Sequence, residues 1–298
     1  MKLPGHGRFS YSPIISRPDF TWPGGKRLAV YIALVEEHFA FGRPSGQLIA
    51  EANPQPDQRA YSWHDYGNRV GFWRMMDILD ELGAPACHTI NTAVIDYAPQ
   101  MVDAMVARGD EIVGHGRTNS ERHGQLFEAD ERSRLEEIRD AIIAYTGTAP
   151  KGYVGPGLSE SLVTPDLLQE TGYKYTMEWP FDDQPTWMKT RSGRLMAVPY
   201  SLDLQDGIQV LQHHHTGATF ADMLIDAFEE FLRQSEKYSS VWSIPLHPMT
   251  MGQIHRIGHL RRALTHIFKH PQADRVWFTR PGEIYDYSAA LPAGIVPE

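Results

Sequence analysis

The sequence predicts an α/β domain whose parallel strands curl into a barrel. Three observations carry this prediction. Apolar strand-like runs alternate with amphipathic helices along most of the chain, several of those helices stop at a glycine, and no GxGxxG or phosphate-loop motif follows the first strand. The first two observations suit either a barrel or a doubly wound sheet. The third lowers the nucleotide-binding sheet and favours the barrel.

Residues 1–26, rich in Pro, Gly and aromatics, read as an N-terminal arm packed on a barrel spanning 27–290, with 291–298 as a C-terminal tail. RLAVYIALV at 27–35 is a near-continuous apolar run, the pattern of a strand buried on both faces. Residues 40–62 hold three prolines and little periodicity, a long connector of the kind that often serves function. VGFWRMMDILDELG at 70–83 sets Phe72, Trp73, Met76, Leu79 and Leu82 on one helical stripe and stops at Gly83. ACHTIN at 86–91 and EIVGH at 111–115 read as strands around a helix at 96–108 that packs Tyr97, Met101, Val102 and Met105. Leu135, Ile138, Ile142 and Tyr145 line the next helix, which ends at Gly147. GYVG follows at 152–155, and Thr164–Pro165 opens a short helix ending at Gly172. YKYTMEW at 173–179 and LMAVPY at 195–200 are strand candidates. Thr219 is read as the cap of the helix that follows it, SVWSIPLH at 240–247 as a strand, 256–270 as a helix and 274–279 as the last strand.

The 298 residues are 42% hydrophobic, enough for a full-sized core, and carry a formal net charge of -9. That balance excludes a nucleic-acid binder working through a basic face. The single cysteine, Cys87, rules out an intrachain disulfide and reads as buried and inert. Neither a signal-peptide core nor a run of ~18 apolar residues is present, so the expectation is a cytoplasmic protein with no membrane partner.

In such barrels the working residues sit at the C-terminal ends of strands. Reading those ends yields Glu36, Glu37, His38, Asn91, His115, Gly155, Pro156, Glu178, Trp179, Tyr200, His247 and Pro248. Adjacent carboxylates at the end of an apolar strand face different sides, and one of them suits a general base. His115, beside glycines, has room for a ligand, and His247 could protonate a leaving nitrogen or polarise a carbonyl. The catalytic candidates are therefore Glu36, Glu37, His115 and His247, with Arg69, Asn91, Glu178, Trp179 and Tyr200 as substrate-binding candidates. Arg69 has two readings, aimed at the pocket or paired with the Glu36–Glu37 cluster. His213–His215 reads as a solvated run, and Asp182, Asp183, Trp179 and Trp187 form an acidic–aromatic stretch. No GxSxG elbow is present.

VEEHF, DYGNRVGFWR, DEIVGHG, WPFDDQPTW, VPYSLD and LHP occur in this order. In them the chain resembles the polysaccharide deacetylase superfamily, in particular its allantoinase-like and cyclic-imidase-like branch, over roughly residues 10–290. The resemblance implies a deformed (β/α)7 barrel, hydrolysis of a non-peptide C–N bond, and a homodimer or homotetramer. In metal-dependent members the acidic pair supplies a base and a metal ligand, positions held here by Glu36 and Glu37. Two histidines spaced H-x-x-x-H complete that metal site, and here they fall on His115 and Asn119. The arginine that orients the base falls on Val154, leaving Arg69 and Arg117 as candidates for that task. A metal set would be Glu37, His115 and Asn119, which makes a poor zinc site. The expectation is thus a small-molecule amidohydrolase or imidase needing no cofactor, acting on allantoin or a cyclic imide. The alternatives are a zinc-dependent (or other divalent-metal) carbohydrate N-deacetylase and a barrel that only binds ligand.

Overall fold

Strand β1 (Leu28–Glu36) is buried along its whole length, because the sheet it lies in is covered on both faces. Its side chains alternate with the period of a strand. Leu28, Val30, Ile32 and Leu34 join the core between sheet and helices, whereas Ala29, Tyr31 and Ala33 join a second core inside the barrel. The computed structural model describes residues 5–43, 46 and 50–298.

The remaining strands are β2 (Ala86–Ile90), β3 (Glu111–Gly114), β4 (Gly152–Tyr153), β5 (Tyr175–Thr176), β6 (Thr186–Thr190), β7 (Gly193–Ala197), β8 (Ser240–Leu246) and β9 (Val276–Phe278). They are ordered β6-β7-β5-β4-β3-β2-β1-β8, with β9 pairing the start of β1. From β8 round to β7 every pairing is parallel, which gives the seven strands of the expected barrel. β6 turns back antiparallel on β7, a hairpin absent from the sequence reading. Its deformation is a seam, because no strand ladder joins β7 to β8 among the described residues. Single bonds span the seam instead: Tyr31 Oη donates to Pro199 O at 2.6 Å, Ser201 N to Ser243 Oγ at 2.6 Å, and Val241 N to Asp183 O at 2.8 Å.

The helices are α1 (Gln58–Tyr66), α2 (Phe72–Leu82), α3 (Ala93–Tyr97), α4 (Pro99–Arg108), α5 (Glu128–Thr146), α6 (Thr164–Glu170), α7 (Gly217–Gln234), α8 (Pro248–Met251), α9 (Ile254–Phe268) and α10 (Pro281–Ala290). Gly83, Gly109 and Gly147 end α2, α4 and α5 in the left-handed conformation that glycine adopts without strain. Two details differ from the sequence reading. Thr216, three residues earlier than expected, caps α7 by accepting from Thr219 N at 3.1 Å. The buried stripe of α2 runs through Phe72, Met75, Met76 and Leu79 and leaves Trp73 exposed. Along the described part of the arm, Arg8 pairs with Asp166 at 2.6 Å and the buried Trp22 donates to Ser240 O at 3.0 Å. Among the described residues no helix is long and apolar enough to cross a membrane.

One packing contact couples the fold to the strand ends. Between α1 and α2 the chain forms a π-helical segment, Gly67–Gly71, which lies directly against α8. A Cβ on Gly71 would sit 2.1 Å from Pro248 O, and one on Gly67 would sit 2.7 Å from Met249 N. These glycines therefore let two backbones touch immediately after His247. Gly71→Ala should force the 247–252 turn outward, at a cost of roughly 1–3 kcal/mol for overpacking. A urea unfolding midpoint equal to wild type would contradict this reading.

Candidate active site

Three strand ends meet at the barrel mouth. Glu37 follows β1, His115 follows β3 and His247 follows β8. The Nε2 atoms of both histidines lie 3.9 Å from Glu37 Oε1, and the three side chains are 5–10% exposed. Each ring is held from behind. His115 Nδ1 donates to Val154 O at 2.6 Å, so in the unprotonated ring the lone pair sits on Nε2. Among the described residues that Nε2 has no hydrogen-bond partner. His247 Nδ1 bonds Asp206 Oδ1 at 2.6 Å, and its backbone N–H donates to Asp206 Oδ2 at 2.9 Å. Asp206, fully buried, precedes a second π-helical segment at Gly207–Gln212.

The electrostatics follow from these contacts. Burial opposes a charge on His247, but the Asp206 carboxylate and the bond to it outweigh burial and raise the pKa to about 9. Burial would likewise raise Glu37, yet the facing His115 and the charge of His247 hold its carboxyl below the usual range. Asn119 Nδ2 donates to Glu37 Oε1 at 2.6 Å, and Asn68 Nδ2 donates to the Glu37 carbonyl at 3.1 Å. At neutral pH the site thus holds an ionised carboxylate beside an imidazolium.

Glu37, His115 and His247 line a cavity of about 240 Å³, with Asn119, Arg122, Val154 and Tyr200 among its other walls. A larger cavity of about 880 Å³ lies along the seam and shares Tyr200, Leu202 and Ile208 with it, but touches none of the three reactive side chains. All three of these side chains line the smaller one.

Of the other sequence candidates, the structure brings Tyr200 and Asn119 to this cavity. Glu36 is one residue along the strand from Glu37 and faces the opposite side of the sheet. There it bonds His88 Nδ1 at 2.8 Å, and His88 Nε2 reaches Asp110 at 3.1 Å, a chain whose first two members are fully buried. Burial pushes the Glu36 carboxyl up against the pull of His88. Burial also opposes charge on His88, but its two carboxylates prevail and raise it to about 9. Arg69 pairs with Asp65 at 2.5 Å and with Tyr97 Oη at 2.8 Å on an exposed helix face, contrary to both of its sequence readings. Arg117 pairs with Glu121 instead of orienting the base. Asn91 is a brace, accepting from His38 N at 2.8 Å and donating to the His115 carbonyl. Glu178 accepts from Gly155 N at 2.8 Å, and burial with the adjacent Glu160 pushes its carboxyl well up. Trp179 packs against His6 and Phe9 of the arm and donates to Glu160 at 2.8 Å. Asp206 and Arg122 were missed, since neither stands at a strand end.

A catalytic zinc takes three protein ligands from His, Cys and carboxylate side chains. Glu37, His115 and His247 are three such groups, but they are not gathered closely enough to hold one ion: among the described residues only Glu229, His266 and His270, on the surface, bring their ligand atoms within 4.8 Å of one another. Asn119 meets Glu37 with its N–H group, which has no lone pair to give, and its Oδ1 is unpartnered. The donor set as it stands does not fit a resident zinc ion.

Residues 52–176 match the polysaccharide deacetylase family, a span that includes His115 and Asn119 but neither Glu37 nor His247. Over 289 residues the chain is 24% identical to a Schizosaccharomyces pombe protein assigned to the polysaccharide deacetylases, covering 89% of this chain and 86% of that one. Among solved structures it is similar to PuuE allantoinase, with TM-score 0.82, 26% identity, and coverage of 95% of this chain and 99% of that chain. It is also similar to a Pseudomonas aeruginosa PAO1 structure assigned as a polysaccharide deacetylase, with TM-score 0.81, 26% identity and coverage of 93% and 97%.

The placement of Glu36 has a measurable consequence. Glu36→Gln should lower unfolding stability by about 3–5 kcal/mol, the scale for breaking a buried ion pair. Because His88 is raised, its own contribution is complete below about pH 6.5, the ordinary histidine value, and fades as pH climbs through about 9. A denaturation midpoint unchanged in the variant between pH 6 and 7 would show that the network is not structural.

Proposed function

We propose that the chain, whose residues 52–176 match the polysaccharide deacetylase family, hydrolyses an amide-type C–N bond in a small, cyclic substrate without a resident metal. One observation carries the reading: both imidazole Nε2 atoms converge on the Glu37 carboxylate at 3.9 Å, at the wall of a cavity of about 240 Å³. Such a space suits a ring of small-metabolite size.

The chemistry divides by protonation state. A point about 2.8 Å from both Glu37 Oε1 and His115 Nε2 is a place where the attacking water can sit within hydrogen-bond reach of both. Glu37 takes the water's proton as the oxygen attacks the carbonyl. His115, fixed by Val154 O, orients that water. His247, already protonated, donates through Nε2–H to the developing oxyanion and then to the leaving nitrogen, which departs poorly until protonated. The proton left on Glu37 returns to His247, and both groups regain their starting states. Asn119 Oδ1, without a hydrogen-bond partner among the described residues, is placed to accept from the ring N–H of an imide or ureide.

The pH dependence follows by sign. Turnover falls on the acid side as Glu37 protonates, below the usual carboxylate range, and on the alkaline side as His247 loses its proton near 9. Asp206→Asn removes the largest influence raising His247, so the alkaline limb should move down from about 9 toward the ordinary histidine value. A limb that stays in place would remove His247 as the acid. The reading itself is tested with purified protein on allantoin, succinimide and an N-acetyl sugar, with and without prolonged chelation. Ring opening unaffected by the chelator is the expected result. Activity confined to the acetamido sugar, or lost and restored by zinc, would overturn it.

A further inference from the structure

Arg122 is the anomaly of the cavity wall. The residue is half-buried, its guanidinium makes no hydrogen bond or ion pair with the described residues, and its Nη1 is occluded from solvent without a hydrogen-bond partner among them. The other arginines near the strand ends are used: Arg69 pairs with Asp65, Arg117 and Arg134 with Glu121. A partly desolvated guanidinium with an unsatisfied N–H is costly, and a protein retains one most readily where a ligand supplies the missing acceptor.

The loop after β4 is shaped to seat this group. Gly157 has a φ of +63°, and a Cβ there would lie 2.8 Å from Arg122 Nη1, inside the guanidinium's own space. A left-handed glycine at this point therefore leaves room for the arginine head at the wall shared with Glu37, His115 and His247. The reactive trio cannot neutralise it, because Glu37 is already engaged by Asn119 and faces both imidazoles.

Resting on the functional reading above, we propose that the substrate is an anion: a ring amide or ureide bearing a carboxylate, which pairs with Arg122 while the scissile carbonyl lies at Glu37 and His247. Guanidinium and carboxylate match in a planar two-bond geometry, and charge-assisted pairs of this kind are among the stronger polar contacts. Arg122 is then a specificity residue, and it acts on the substituent away from the bond that breaks.

The test uses matched probes, dihydrouracil against its 6-carboxylate and hydantoin against hydantoin-5-acetate, with the wild-type chain, Arg122→Met and Arg122→Lys. Wild type should favour the carboxylated member of each pair by roughly 10–100-fold in kcat/KM, carried mainly by KM. Arg122→Met should erase that ratio, Arg122→Lys should restore part of it, and neither should lower the Tm of the empty protein. Equal losses on both members of a pair would assign Arg122 to the reacting carbonyl and overturn the proposal, as would a lowered Tm. Calorimetric binding of succinate separates this inference from the functional reading. If no ring is opened but succinate binds wild type and weakens at least 10-fold in Arg122→Met, the anion site stands and the ring-hydrolase reading fails. Ring opening without any carboxylate preference leaves the hydrolase and removes the anion site.

Discussion

A β-strand has a period of two, and that constraint at the end of β1 organises the rest of the molecule. Glu36 and Glu37 are adjacent, so one must face the helical layer and the other the barrel mouth. The even-numbered side of the strand, built from Leu28, Val30, Ile32 and Leu34, commits Glu36 to a buried chain with His88 and Asp110. The odd-numbered side commits Glu37 to the cavity. Neither assignment is adjustable, since shifting the register by one residue would expose the whole apolar face.

Around Glu37 the structure sets two donors and one oriented ring. Asn119 contributes a neutral N–H, His247 contributes a cation stabilised by Asp206, and the His115 ring is fixed in direction by Val154 O. Val154 stands where the resemblance leads one to expect an arginine, yet its backbone carbonyl sets the histidine's tautomer. Asn119 stands where a second metal-binding histidine is expected and instead tethers the base. Both departures place protein groups around one carboxylate, an amide N–H on Glu37 itself and a carbonyl that orients the facing His115. The backbone contact at Gly71 and Pro248 then holds the turn carrying His247 against the helical layer.

Much of this could be read from residue order. The apolar run of β1, the amphipathic α2 and α5, and their glycine stops are local signals, and the structure follows them closely. The strand-end rule located Glu37, His115 and His247 because each stands directly after an apolar run. The same rule also selected Asn91, Glu178 and Trp179, whose side chains turn to loop bracing or to the arm. β4 and β5 are two residues long, too short for any periodicity, and the β6–β7 hairpin was hidden in an acidic–aromatic stretch. Asp206 and Arg122 lie within loops, where position depends on tertiary contacts and leaves no pattern in the sequence. The π-helical segments before α2 and after Asp206 likewise have no compositional mark.

The central claim is that catalysis belongs to Glu37 and not to its neighbour. Its most direct measurement is kcat/KM of wild type, Glu36→Gln and Glu37→Gln on one ring substrate, below the unfolding range of each variant. Glu37→Gln should lose at least ~10²-fold, the usual scale of general-base catalysis, while folded Glu36→Gln stays within a few-fold of wild type. Comparable losses in both variants, or full activity in Glu37→Gln, would contradict the account.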